Sequence, residues 1–249
     1  MTSQGINQEV TTDAFYIKDL EQMKRARNYL KWQNSLIFPF LGKRVIEIGS
    51  GIGNFTTTLA QQADIVVGIE PNQYCYSQLV EETKNFSNVS CLNIFSEHIQ
   101  DHLPLNQRFD TIVSTNVFEH IPDDKKVLDA ICPYLIDGAR IILQVPAGMW
   151  AYGEIDKLLG HYRRYDKSQM KQLFSGIPGQ FLKLRYYNPI GALGWWMNAR
   201  IRKASNQNDR QIWIFDRLIL PPQSIVEKII RFPFGQTIFA VFEYKRKQV

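Results

Sequence analysis

Two groups of residues have types and spacing suited to chemistry. The first is Glu47-Ile-Gly49-Ser-Gly51-Ile-Gly53-Asn54, three glycines at alternate positions behind an apolar run that contains one acid. Bare backbone at glycine lets N–H groups approach a polar ligand, and a helix N-terminus behind such a turn favours negative or polar groups. A second acid, Glu70, stands nineteen residues past Gly51. That is close to the spacing at which a carboxylate at the next strand's end accepts ribose hydroxyls. Glu47 is costly inside an apolar strand unless paired, which assigns it to the ligand side, accepting from a ligand ammonium or from a loop N–H. The second group is Trp150, Tyr152, Asp156 and Gly160-His-Tyr-Arg-Arg-Tyr165. His161 titrates near neutral pH and suits proton transfer. Arg164 suits a carboxylate or phosphate, and Tyr152 and Asp156 share its loop. The competing reading is that His161 only hydrogen-bonds a neighbouring loop and that Arg163 and Arg164 pin this one to Asp156 or to carbonyls.

These groups need a scaffold of alternating strands and helices. Apolar runs predict strands at 44–48, 65–70, 89–94, 109–114 and 140–145. Helices are expected over 18–38, 74–84 with Asn72 as cap, and 123–135. Such alternation implies a doubly wound parallel sheet with right-handed crossovers, and ligands beyond the strands' carboxyl ends. Past residue 145 the pattern changes. Residues 146–165 read as a loop, 166–174 as a helix capped by Asp166, and 181–187 as a strand. Residues 188–202 are aromatic and glycine-rich, and 204–210 read as a polar linker. Residues 211–231 read as helical with a break at Pro221-Pro222, and 236–244 as a closing strand.

The glycine turn, Glu70-Pro71 after the second strand, and Phe109-Asp-Thr-Ile-Val-Ser-Thr-Asn-Val-Phe-Glu-His-Ile121 together resemble the class I S-adenosylmethionine-dependent methyltransferases over roughly the first half of the chain. The Gly-His-x-Arg-Arg-Tyr string resembles a subgroup of them acting on small or lipid-like acceptors. The resemblance implies a Rossmann-like seven-stranded α/β sheet with an antiparallel last strand and S-adenosylmethionine as donor, leaving S-adenosylhomocysteine. It implies that Gly49, Gly51 and Asn54 pass under the methionine part, that Glu70 takes the ribose hydroxyls with Pro71 beside it on the cofactor side, and that Asn116 and Val117 line the cofactor. The adenine contact falls on Phe95 and Ser96, where the family usually carries an acid. Residues 1–40 are then a lid helix, against the competing reading of a helix that only packs on the core, with Tyr16, Tyr29 and Trp32 able to face the sulfonium. Residues 41–187 are the cofactor-binding core, 188–232 a helical cap insertion, and 233–249 a closing strand and tail. Trp150, Asp156, Trp195 and Trp196 are read as contacting the acceptor. His161 is the expected base, with Tyr152 and Arg164 beside it.

The bulk numbers narrow the class. The 249 residues fit one domain, and a net charge of +5 with a pI near 9.0 is only mildly basic. A dedicated nucleic-acid binder is denser in charge. Cys75, Cys91 and Cys132 form no metal-type pair, and a reduced, cytoplasmic chain is expected. His98 and His102 lie four apart without partners at metal spacing, and no metal site is expected. Residues 1–13 lack the order of a signal peptide, and no apolar stretch approaches the ~20 residues of a membrane span.

The expected activity is methyl transfer to an oxygen or nitrogen of a small molecule, by a monomer or homodimer. The alternatives are an RNA methyltransferase, a silent S-adenosylmethionine-binding protein and a nicotinamide oxidoreductase. Asn116-Val-Phe-Glu lacks the Pro-Pro-aromatic run of base-amino methylation, and no cysteine falls where cytosine C5 chemistry needs one. Asn54 in place of a third fingerprint glycine counts against nicotinamide. Trp195, Trp196 and Met197 beside Arg200, Arg202 and Lys203 carry one further alternative, peripheral membrane contact, against the preferred reading that they line the acceptor pocket.

Overall fold

The computed structural model describes residues 15–198 and 209–246. In chain order they form α1 over 15–24, α2 Arg27–Ile37, β1 Arg44–Ile48, α3 Thr56–Ala60, β2 Ile65–Ile69, α4 Gln73–Thr83, β3 Val89–Leu92 and β4 Phe109–Thr115. There follow α5 Asp124–Ile131, β5 Leu135–Pro146, α6 Glu154–Leu158, α7 Lys167–Leu173, β6 Gly179–Tyr187, α8 Pro189–Met197, α9 Asp209–Ile214, α10 Leu220–Ile229 and β7 Thr237–Tyr244. The chain divides into two compact units. The first takes the described parts of 1–33, 146–166 and 186–238, and the second takes 34–145, 167–185 and 239–249.

The second unit is organised on a seven-stranded sheet of order β3-β2-β1-β4-β5-β7-β6, with the last strand antiparallel, as the resemblance implied. Val45, Ile46, Ile48, Val66, Val67, Ile69, Ile112, Val113 and Ile141–Leu143 are all buried. Continuous apolar runs of this kind suit parallel strands covered on both faces. The register pairs Ile48 with Ile69 and with Ser114. The carboxyl ends of β1, β2 and β4 therefore finish level, and strand order reverses between β2 and β4 around β1. Open sheets of this type bind ligands at such a switch point. The helix starts follow the expected local chemistry. The side chain of Asn72 accepts the Cys75 N–H at 3.1 Å and that of Asp123 accepts the Lys126 N–H at 3.4 Å.

Several boundaries differ from expectation. The single helix expected over 18–38 is two helices, because the chain turns at Arg25-Ala26, where Arg25 N–H and Ala26 N–H bond the carbonyls of Gln22 and Met23. The second helix starts afresh, and Asp216 supplies its capping oxygen from a distant segment: Tyr29 N–H donates to Asp216 Oδ1 at 2.8 Å. The break expected at Pro221-Pro222 is absent. The helix runs on from Asp209 to Ile229 through a π segment, Phe215–Ile219, and both prolines sit in the first turn of α10. There the missing proline N–H interrupts no regular α bond, so the ring is tolerated. The segment 146–165 also contains a short helix, α6. Residues 1–14, Arg200, Arg202, Lys203 and most of the linker lie outside the described residues.

Candidate functional site

The cradle after β1 is built by backbone geometry. Gly49, Gly51 and Gly53 have φ of 72°, 54° and 87°. The N–H groups of Gly49 and Ser50 both donate to the Ile69 carbonyl, at 2.9 and 3.0 Å, which folds the turn against the end of β2. At Gly49 any side chain is excluded, since an added Cβ would lie 2.2 Å from Val117 Cγ2. Val117 follows β4, so the glycine turn and the β4 loop are in direct contact. Asn116 itself has φ of 55° and donates its N–H to the Gln144 carbonyl at 2.7 Å.

Glu70 joins the pieces. Its Oε2 accepts the Gly51 N–H at 2.8 Å, and its Oε1 accepts the Asn72 N–H at 3.0 Å. A carboxylate oxygen takes two donors, so each retains capacity for a hydroxyl. Burial pushes the Glu70 carboxyl up, and the two backbone donors partly offset this. Asn93, just past β3, donates to the carbonyls of Glu70 and Pro71 at 2.8 and 3.0 Å and braces that turn. Glu47, buried within β1, accepts the Thr56 hydroxyl at 2.5 Å. Burial pushes its carboxyl up to about 7, the Thr56 and Ser50 hydroxyls pull it back, and the charge of Glu70 adds to the rise. Phe95 is exposed and Ser96 is buried at the start of the 3-10 turn Ser96–Asp101.

In the first unit, the loop after β5 closes on one carboxylate. Asp156 Oδ1 accepts from Arg164 Nε at 2.7 Å and faces His161 Nδ1 at 2.9 Å. Its Oδ2 accepts from Gly153 N–H at 2.9 Å and Trp195 Nε1 at 3.2 Å. Asp156 and Arg164 are fully buried, and the Trp195 ring lies 4.8 Å from the Arg164 guanidinium carbon. Burial raises the Asp156 carboxyl, but the His161 bond and the Arg164 charge outweigh it, leaving the group below its ordinary value. For His161 burial is the larger effect and lowers the imidazole below its usual range, against the pull of Asp156. The ring is then neutral at pH 7. Beside the Asp156 carboxylate Nδ1 takes the donor role, which leaves Nε2 as the accepting nitrogen. Tyr152 donates its hydroxyl to the His161 carbonyl at 2.7 Å, and Arg164 Nη1 donates to Ala147 O at 3.3 Å.

The structure thus brings Gly49, Gly51, Glu70, Pro71, Asn116 and Val117 together in the second unit, and Tyr152, Asp156, His161, Arg164 and Trp195 together in the first. Trp32 is buried, 5.3 Å from the Tyr29 ring, with its Nε1 donating to Glu227 Oε2 at 3.1 Å. Tyr16 is half-buried on α1. Trp150 is exposed and meets Phe234 edge-on, and Trp196 is exposed on α8. Sequence reasoning missed Asn93 and Thr56. Asn93 had a signal, a polar residue at the carboxyl end of a strand. Thr56 stands nine residues past its partner Glu47 with no motif to mark it.

The sequence matches the family described as "Methyltransferase domain" over residues 20–200. A tRNA U34 carboxymethyltransferase of Pseudomonas fluorescens (strain Pf0-1) is 28% identical over 160 residues, covering 62% of this chain and 48% of that protein. A ubiquinone biosynthesis O-methyltransferase of Coxiella burnetii (strain Dugway 5J108-111) is 29% identical over 103 residues, covering 40% and 42%. The chain spans about half the length of these curated relatives or less. The crystal structure of the N-methyltransferase NodS from Bradyrhizobium japonicum WM9 with S-adenosylhomocysteine superposes with a TM-score of 0.55, at 13% identity, over 89% of this chain and 87% of that one. At that identity the likeness is one of fold.

Proposed function

On the premise that this chain belongs to the methyltransferase-domain family, we propose that it methylates an oxygen or nitrogen of a small-molecule acceptor, with S-adenosylmethionine as donor. One observation carries the reading: a glycine turn with left-handed φ at three positions is tied through the Gly51 N–H to a buried carboxylate at the end of the next strand. The residues fit the cofactor. Gly49 and Gly51 leave main chain bare, Glu70 keeps acceptor capacity for ribose hydroxyls, and Glu47 lies behind the turn as a further carboxyl acceptor. Phe95, Ser96 and Asn116 complete the set we assign to it, with Asn54, Pro71, Val117, Tyr16 and Trp32.

When bound, the cofactor supplies an activated methyl carbon. The chain's task is then to hold the acceptor in line and to take up its proton. We assign the proton to His161 Nε2. Asp156 fixes the tautomer, Tyr152 anchors the His161 backbone, and Arg164 and Trp195 lock Asp156 in place. A neutral imidazole at pH 7 is the form a base requires. Trp150 and Trp196 are assigned to the acceptor side; Asp156, expected there too, is buried and taken up by His161, Arg164, Gly153 and Trp195, so it and Trp195 act by positioning His161.

The competing reading is an RNA acceptor, favoured by the tRNA-directed name of the Pseudomonas relative. Incubation with methyl-labelled S-adenosylmethionine, a small-molecule cell extract in one arm and total tRNA in the other, separates them. Label in the extract alone supports the proposal, and label in tRNA alone overturns it.

A further inference from the structure

The helix from Asp209 to Ile229 is polar inside and apolar outside. Its buried positions include Asp216, Gln223 and Glu227 besides Leu220. Each polar one is satisfied within the first unit. Asp216 takes the Tyr29 N–H, Gln223 accepts the Ile190 N–H at 3.1 Å and donates to Asn188 Oδ1 at 3.0 Å, and Glu227 accepts from Trp32. The outward positions are Leu218, Ile225 and Ile229, at 61%, 62% and 82% exposure, with Trp213 and Val226 also exposed. At about 100° per residue, Leu218, Ile225 and Ile229 fall within roughly 20° of one line, and Leu220, Gln223 and Glu227 fall on the opposite side. Water-facing helices have the reverse arrangement, and a contiguous apolar face of this kind marks an interaction surface.

The charges say what covers it. The exposed ionic groups from residue 209 to 231 are Arg210, Arg217, Lys228 and Arg231 against Asp209 alone, because the two other acids, Asp216 and Glu227, are turned inward. Arg217 and Lys228 fall on one flank of the apolar line, where long cationic chains reach lipid headgroups while their stems lie along the apolar edge. On the neighbouring helix α8, Ile190, Leu193 and Met197 are exposed at three- and four-residue steps, while Trp195 is turned inward to Asp156. No described helix is long and apolar enough to cross a membrane.

We propose that the outward face of the Asp209–Ile229 helix docks on an anionic phospholipid bilayer, lying in the interface with Leu218, Ile225 and Ile229 immersed and Arg217 and Lys228 on headgroup phosphates. The surface stands apart from the methyl-transfer reading, since none of these residues belongs to the cradle or to the Asp156 cluster. The full chain is tested by flotation with vesicles of 70% phosphatidylcholine and 30% phosphatidylglycerol, and with vesicles of phosphatidylcholine alone. Binding to the anionic vesicles is expected, weakened when NaCl rises from 0.1 to 0.5 M. Ile225→Glu/Ile229→Glu should lower partitioning by roughly tenfold or more, and Arg217→Glu/Lys228→Glu should lower it on anionic vesicles. Ile229→Trp puts a fluorophore on the immersed line, and its emission should be quenched by brominated lipid beyond the wild-type level, a second reading that needs no charge-bearing variant. Absence of flotation, equal binding to both vesicle types, or a concentration-dependent dimer that Ile225→Glu/Ile229→Glu disrupts without lipid would each overturn the proposal.

Discussion

The Gly51 N–H lies 2.8 Å from Oε2 of Glu70, so the turn after β1 and the end of β2 are one unit held by a buried carboxylate. The bond fixes the glycine turn before any ligand arrives. A preorganised cradle avoids the ordering cost that a mobile loop would bring to binding.

Gly49→Ala should destabilise the fold and abolish cofactor binding together. The position combines φ of 72° with Val117 Cγ2 at 2.2 Å from the added carbon. Left-handed strain costs about 1–2 kcal/mol and overpacking about 1–3 kcal/mol. Thermal unfolding measures the sum. Adding Val117→Ala should restore the overpacking share and leave the strain.

Glu47 makes stability depend on pH. Its folded carboxyl titrates near 7, above the ordinary carboxylate value, so the native state holds the proton more tightly than the unfolded chain. Its favourable contribution is complete below about 4.5, declines as pH rises, and is lost above about 7. The span is on the order of 3 kcal/mol. Urea unfolding at pH 5 and 8 should show Glu47→Gln with a flatter profile than the parent. An identical profile would mean that Glu47 is charged in the native state throughout.

His161→Ala should lower turnover and leave S-adenosylhomocysteine affinity nearly unchanged. With the imidazole held below its ordinary range by burial, the acid limb of kcat/KM should have its midpoint below that of a free imidazole. Asp156→Asn removes the group that pulls His161 upward, so the acid limb should move lower still. The same variant leaves the buried Arg164 without its anion, a loss of about 3–5 kcal/mol in stability. Unchanged turnover in His161→Ala would retire the role.

Asp216→Ala should loosen the start of α2 by about 1–2 kcal/mol, because it removes the oxygen that caps the Tyr29 N–H. Hydrogen exchange at the first amides of α2 should accelerate. Asp216→Asn keeps an acceptor there and should recover most of the loss.

The sheet was legible because its information is local. Apolar runs, the glycine turn, and the caps Asn72 and Asp123 each lie within a few residues of what they determine. The doubly wound parallel sheet follows from alternation and handedness, its strand order was not read from the sequence, and the antiparallel last strand came with the family resemblance. The first unit was far less legible. Asp216 and Tyr29 are 187 residues apart, Glu227 and Trp32 are 195 apart, and no periodicity links such pairs. A buried stripe of Asp216, Gln223 and Glu227 also inverts the usual apolar-inside rule, so the pattern of residues 211–231 pointed to a helix but not to its inner face. The break read into Pro221-Pro222 failed because two prolines mark a first turn as readily as an interruption. In the loop after β5, residue types placed Asp156, His161 and Arg164 near one another. That a single carboxylate would hold both partners and Trp195 depended on burial, which spacing does not report.

The measurement that bears most directly on the central claim is calorimetric titration of the full chain with S-adenosylhomocysteine and with NADH, side by side, on the parent and on Glu70→Ala. The account predicts that S-adenosylhomocysteine binds the parent, that NADH gives no heat, and that Glu70→Ala weakens binding roughly 10- to 100-fold as the ribose and the Gly51 N–H lose their shared acceptor. Binding of NADH, silence with S-adenosylhomocysteine, or undiminished affinity in Glu70→Ala would contradict it.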